Sequence, residues 1–160
     1  MRPKAKLFRR QKQMKLKQMY SICIIVDNFA DDPKIMHAQG GYASGGSMLN
    51  TLFIRGRHLH ISTLVSTQKL RLISSTIRVN AQSMLVWRLR NRTELQSLLE
   101  ELSAVYPMDM LLEMYNMATE EPYSFWSVLL TAKRRRRMFY LRFEHKMVPE
   151  INNDDDGDLR

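Results

Sequence analysis

Asp27 closes an almost unbroken apolar run, Ile22 to Val26, rich in β-branched residues and too short for a helix. A carboxylate at the carboxyl end of such a strand has the form of a Walker B element, where it holds magnesium on the phosphates of a nucleotide. Aspartate also caps the turn after many strands, so Asp27 alone leaves both roles open. Further along, FIRGRHLHISTLVSTQ sets Arg55, Arg57 and His58 on a helix end or turn, followed by a second β-branched run that leads to Gln68. A carboxamide there can hydrogen-bond both a γ-phosphate and an attacking water. An arginine on the adjoining loop matches phosphate geometry and can neutralise transition-state charge on a neighbouring subunit. A glutamine bonded to backbone, and arginines on a solvated helix end, are the alternative readings.

For Asp27, Gln68 and the arginines to act together, the elements must bring them to one edge of a sheet. The two apolar runs read as parallel strands buried on both faces, which places Asp27 where open α/β sheets bind ligands. A basic helix is expected from Lys6 to Met19, and loop through DDPKIMHAQGGYASGGS. Ser47 is the expected cap of a helix through MLNTLFIRGRH. QKLRLISSTIRVNAQ reads as loop with a short turn, and SMLVWRLR as a third strand. Leu95, Leu98, Leu99 and Leu102 recur at helical spacing, with Thr93 as expected cap, and Pro107 opens a further helix, MDMLLEMYNMA. YSFWSVLLTA and RMFYLRFEHKMV read as strands of a hairpin around a basic turn. The alternation of helix and strand over the first two-thirds predicts a mainly parallel sheet with flanking helices.

At 160 residues the chain fits one ordinary domain, and its 44% hydrophobic content excludes global disorder. A net charge of +9 favours a polyanionic partner. The charge concentrates in KAKLFRRQKQMKLK and in Lys133, Arg134, Arg135, Arg136 and Arg137. The second cluster can contact nucleic-acid phosphates, serve as a nuclear-localisation patch, or form a solvated turn. The tail from 149 to 160, with its NNDDDGD run, reads as acidic and disordered. A single cysteine, Cys23, excludes an intramolecular disulfide, fits a reducing intracellular compartment and is expected in the core. No apolar run is long enough to span a bilayer, so no membrane is expected as a partner. His58 and His60 are expected on one strand face, where they begin a metal site or form a polar edge. The twelve methionines, with Trp87 and Trp126, are read as core residues.

Taken together, IIVDNFAD, LFIRGRHLHISTLVSTQ and IRVNAQSMLVWRLRN resemble the distal half of the FtsK/HerA superfamily ATPase core. The likeness is to DNA-packaging ATPases of large eukaryotic DNA viruses and related mobile elements, and it covers roughly Ser21 to Asn91. It implies an α/β, RecA-like P-loop NTPase fold, with ATP and Mg2+ as cofactors, and a homo-oligomeric ring that drives double-stranded DNA into a capsid. By this resemblance Asp27 is the magnesium-associated acid, Gln68 the phosphate sensor, and Arg57 or Arg55 the residue acting in trans. The implied setting is cytoplasm, nucleus, virus factory or virion.

Two departures shape what the resemblance implies. Members of the family carry a glycine-rich phosphate loop with lysine ahead of the Walker B strand, whose amides and ammonium cradle the phosphates. Residues ahead of Ser21 contain no glycine, and GGYASGGS lies after Asp27 with Gly46 where the lysine belongs. Asn28 stands where a second acid usually activates water, and an amide cannot accept a proton. Expected domains are a basic helix at 1–20, a partial ATPase core at 21–148 and the acidic tail. The expectation is the distal part of a packaging motor, from a truncated gene product or incomplete gene model, inactive alone. A non-catalytic basic nucleic-acid-binding protein, or a ring partner of an intact ATPase, is the alternative.

Overall fold

Apolar side chains gather into two separate clusters, and the chain divides with them into two units. The structure, a computed structural model, describes residues 21–27 and 48–149. The expected basic helix, Asn28, the glycine-rich loop with Ser47, and the acidic tail from 150 onward lie outside the described residues.

In the first unit (21–27, 48–68 and Ile73–Ile77), β1 (Ile22–Asp27) pairs in parallel with β2 (Ile61–Ser66). Ile22 lies opposite Ile61, and Asp27 opposite Ser66. Helix α1 (Met48–Arg55) continues into a 3-10 turn, Gly56–Leu59, before β2 begins. One face of the strand pair meets a small core: Val26 and Val65 pack with Leu52 and Phe53 against buried Leu49, Ile73 and Ile77. The other face carries Cys23, Ile25 and Asp27 beside Ser62, Leu64 and Ser66, all exposed. Burial on both strand faces is therefore corrected, and Cys23 is exposed rather than a core residue. An apolar run of this kind offers both faces to a core, but a three-residue cluster covers only one.

The second unit comprises Lys69–Leu72 and 78–149. A 3-10 turn spans Leu70–Leu72, and a short helix, α2 (Ser75–Asn80), forms where the sequence reads as loop with a short turn, its first three residues in the first unit and its last three in the second. Beyond them lie β3 (Ser83–Trp87), α3 (Arg92–Leu102), α4 (Met108–Ala118), β4 (Phe125–Leu129), β5 (Phe139–Leu141) and β6 (His145–Lys146). The strands form one sheet in the order β3-β4-β5-β6, antiparallel throughout. This corrects the mainly parallel sheet: β3 does not hydrogen-bond to β2. The physical reason is the pair of helices after β3. One crossover helix returns the chain to a strand's start, whereas a second takes it back to the far end, so the next strand enters antiparallel.

Local chemistry sets the helix ends. Asn91, not Thr93, caps α3: its Oδ1 accepts the Thr93 N–H at 2.8 Å. Pro107 precedes α4 and its carbonyl accepts the Leu111 N–H at 3.1 Å. The buried Glu94 of α3 accepts the Leu70 N–H at 2.8 Å and so anchors the 3-10 turn. Leu98, Leu99, Leu102, Leu111, Met114 and Tyr115 pack from the helices against the inner sheet face. There Trp126 and Phe139 stack at 5.1 Å with an interplanar angle of 14°. Such a pair contributes about 0.5–1.5 kcal/mol beyond the area it buries. The architecture is mixed α/β, with one small parallel sheet and one antiparallel sheet. Among the described residues, no helix is long and apolar enough to cross a membrane.

Candidate functional site

Parallel pairing places the ends of β1 and β2 side by side. Asp27 stands opposite Ser66 at the carboxyl end of the pair, and Gln68 follows two residues beyond Ser66. Asp27, Ser66 and Gln68 are all exposed, which leaves a carboxylate, a hydroxyl and a carboxamide open to solvent at one sheet end.

Arg55 and Arg57 are not brought to this end. Arg55 ends α1 and Arg57 lies in the 3-10 turn that leads into β2, at the amino end of the strand. With ~3.3 Å of rise per residue, the length of β2 separates the two ends by about 17 Å. The gathering of acid, amide and arginine at one sheet edge is thus corrected: the acid and amide share an end, and the arginines occupy the other.

The arginine turn is held by its backbone. His60 takes a left-handed conformation (φ 51°), donates its N–H to the Arg57 carbonyl at 3.2 Å, and accepts the Ile22 N–H at 3.0 Å. Gly56 is buried here, and a Cβ on it would come within 3.0 Å of the Ile61 carbonyl oxygen. His58 lies in the turn and His60 at its end, so the expectation that they share a strand face is corrected. Among the described residues, no group of three or more His, Cys, Asp or Glu could hold a metal ion. One exposed carboxylate still fits a magnesium ion that takes its remaining oxygens from phosphates and water.

Ser74, just ahead of α2, donates to the Asn50 Oδ1 at 2.7 Å within the first unit. In the second unit, Arg78 meets the Glu101 carboxylate at 2.9 Å and Arg71 donates to the Ser97 hydroxyl at 2.9 Å. The two arginines hold the 3-10 turn and Arg78, at the second-unit end of α2, to α3; nothing in the residue spacing announced these pairs.

The basic cluster forms an ordered turn between β4 and β5, with a 3-10 segment at Arg135–Arg137. The Arg137 N–H donates to the Arg134 carbonyl at 2.9 Å, and the Leu129 N–H to the Met138 carbonyl at 2.7 Å. Arg134 and Arg137 are exposed, while Arg135 and Arg136 are half-buried. Trp126 is 0% exposed and Trp87 is 52% exposed, which corrects the assignment of Trp87 to the core. Among the methionines, Met114, Met138 and Met147 are buried, but Met48 and Met117 are exposed.

Comparison with known protein families, with curated proteins and with solved structures found no match.

Proposed function

We propose that the chain is the distal, magnesium-side part of an ATP-driven DNA-packaging motor of the FtsK/HerA type, its first unit a RecA-like core fragment. The observation that carries this reading is the parallel register that sets Asp27 opposite Ser66, with Gln68 just beyond. Magnesium, when bound, supplies neutralisation of phosphate charge. Asp27 would hold that ion and orient its water, Gln68 would hydrogen-bond the terminal phosphate, and Arg57 or Arg55 would serve a neighbouring subunit's nucleotide. Their position far from Asp27 in this chain suits action in trans within a ring around double-stranded DNA. The sequence contains no GK pair and therefore no phosphate-loop lysine of that motif. The chain alone is accordingly expected to leave MgATP unhydrolysed, and to act with subunits that carry the loop.

The test is titration into an intact ATPase of this type. Turnover should change with mole ratio, and Arg57→Ala should remove the change; a rate that stays constant across a wide ratio overturns the reading. Turnover by the chain alone, abolished by Asp27→Ala, would overturn its inactivity.

A second reading, a non-catalytic nucleic-acid-binding protein, is favoured by the ordered, exposed Arg134 and Arg137. Salt-sensitive DNA binding that Asp27→Ala and Gln68→Ala leave unchanged would select it.

A further inference from the structure

The sheet of the second unit has two unlike faces. Met84, Val86, Trp126, Val128, Phe139 and Leu141 belong to the core cluster or pack against it. The alternate residues point the other way, as strand pleating requires. On that outer face, Trp87 lies opposite Phe125, and Tyr140 lies opposite both Ser127 and Lys146.

Three rings form a row at one end of this face. The centroids of Trp87 and Phe125 are 5.1 Å apart, and those of Phe125 and Phe143 5.0 Å apart. The two outer rings are open to solvent, Trp87 at 52% and Phe143 at 69%. The Arg142 N–H, bonded to the Phe125 carbonyl at 2.9 Å, fixes the turn that carries Phe143. At the opposite end of β4 stands the basic turn with exposed Arg134 and Arg137. The length of β4 separates the ring row from that turn by roughly 14 Å, and Lys146 sits on the face between them.

Most described acids of the second unit lie on its helices. Glu94, Glu100, Glu101, Asp109 and Glu113 all belong to α3 and α4, behind the sheet. Of the acids near the ring row, Glu121 is paired with Arg142 at 3.0 Å, and the exposed Glu144 beside Phe143 lies 4.0 Å from the His145 Nε2. Open aromatic rings at one end of the outer face, with exposed arginines in the turn at the other end of β4, complement a strand that offers flat bases and phosphates together. A duplex hides its bases from such rings, and an apolar protein surface has no use for the arginines.

We propose that this outer sheet face binds single-stranded nucleic acid, with bases stacked on Trp87 and Phe143 and phosphates held by Arg134, Arg137 and Lys146. The proposal deepens the nucleic-acid reading by naming the surface and the strand state, and it needs neither Asp27 nor a nucleotide.

The experiment uses the full chain and a fluorescein-labelled oligothymidylate of about 16 nucleotides, followed by anisotropy across a salt series. Affinity should fall with salt, and Trp87→Ala and Phe143→Ala should each weaken binding about 5- to 150-fold. Combining Arg134→Gln with Arg137→Gln should flatten the log–log salt slope by about 1.4. Because Trp126 is buried, quenching of tryptophan emission by the oligonucleotide reports Trp87. Trp87→Phe, which keeps a ring against Phe125, should retain most affinity and lose the quenching.

Salt-sensitive binding without quenching, unchanged by the aromatic substitutions, would overturn the platform while leaving the general nucleic-acid reading intact. Tighter binding to a duplex of the same length would also overturn the platform. Self-association that Trp87→Ala abolishes would identify the face as an interface between copies and overturn it too. No binding at low salt would overturn both readings.

Discussion

Leu89 donates its backbone N–H to the Tyr115 hydroxyl at 2.7 Å, tying the chain just past β3 to the buried face of α4. Tyr115 also meets Trp126 edge-on at 6.2 Å, so one side chain joins the polar closure of a strand end to the aromatic core.

Tyr115→Phe keeps the ring contact and removes only the acceptor. The part-buried Leu89 N–H is then left unpaired, at a cost of about 1–3 kcal/mol. Urea unfolding followed by tryptophan fluorescence checks this, since both tryptophans lie in the second unit. An unchanged midpoint would mean that water replaces the hydroxyl.

Trp126 is fully buried, yet its Nε1 has no hydrogen-bond partner. Trp126→Ala should cost about 3–5 kcal/mol through the cavity it leaves. Trp126→Phe should cost much less than its volume loss suggests, because it also removes a buried donor that nothing satisfies. A Trp126→Phe loss as large as its lost volume implies, measured by the same unfolding experiment, would show that the indole N–H is satisfied in solution.

His60 holds a left-handed backbone that costs an L-residue about 1–2 kcal/mol, while glycine gives back about 0.5–1 kcal/mol through its freer unfolded chain. His60→Gly should therefore stabilise the first unit by up to about 1 kcal/mol, and His60→Val should destabilise it. Amide exchange in β2 is the measurement: slower in the first variant, faster in the second. Faster exchange in both would assign the imidazole a contact that outweighs backbone strain.

The positions of the strands were legible where β-branched runs were short and bounded, as at Ile22–Asp27 and Ile61–Ser66. Which face they bury was not, because Cys23 and Ile25 are as apolar as Ile24 and Val26; only the packed helices decide. The partner of β3 was illegible for a related reason, since pairing is a long-range choice that no local pattern encodes. Trp87 reads as core although alternation in SMLVW sets it opposite in phase to Val86, a signal present in the sequence. Asn91 is an equally good cap residue two positions before Thr93, and its choice moved the start of α3. The acid and amide at one sheet end followed from two strand ends, but placing the arginines required knowing that α1 delivers them to the start of β2, not its finish.

The parallel pair joins strands separated by all of the chain between Asp27 and Ile61, whereas β4 and β5 are joined through a single turn. Closing a long loop delays the contacts that reward it, and three buried residues reward it less than the larger aromatic core does. The order of folding follows: pulse-labelled amides of β4 and β5 should gain protection before those of β1. The unit that carries Asp27 would then be the last to assemble and the first to open to a protease.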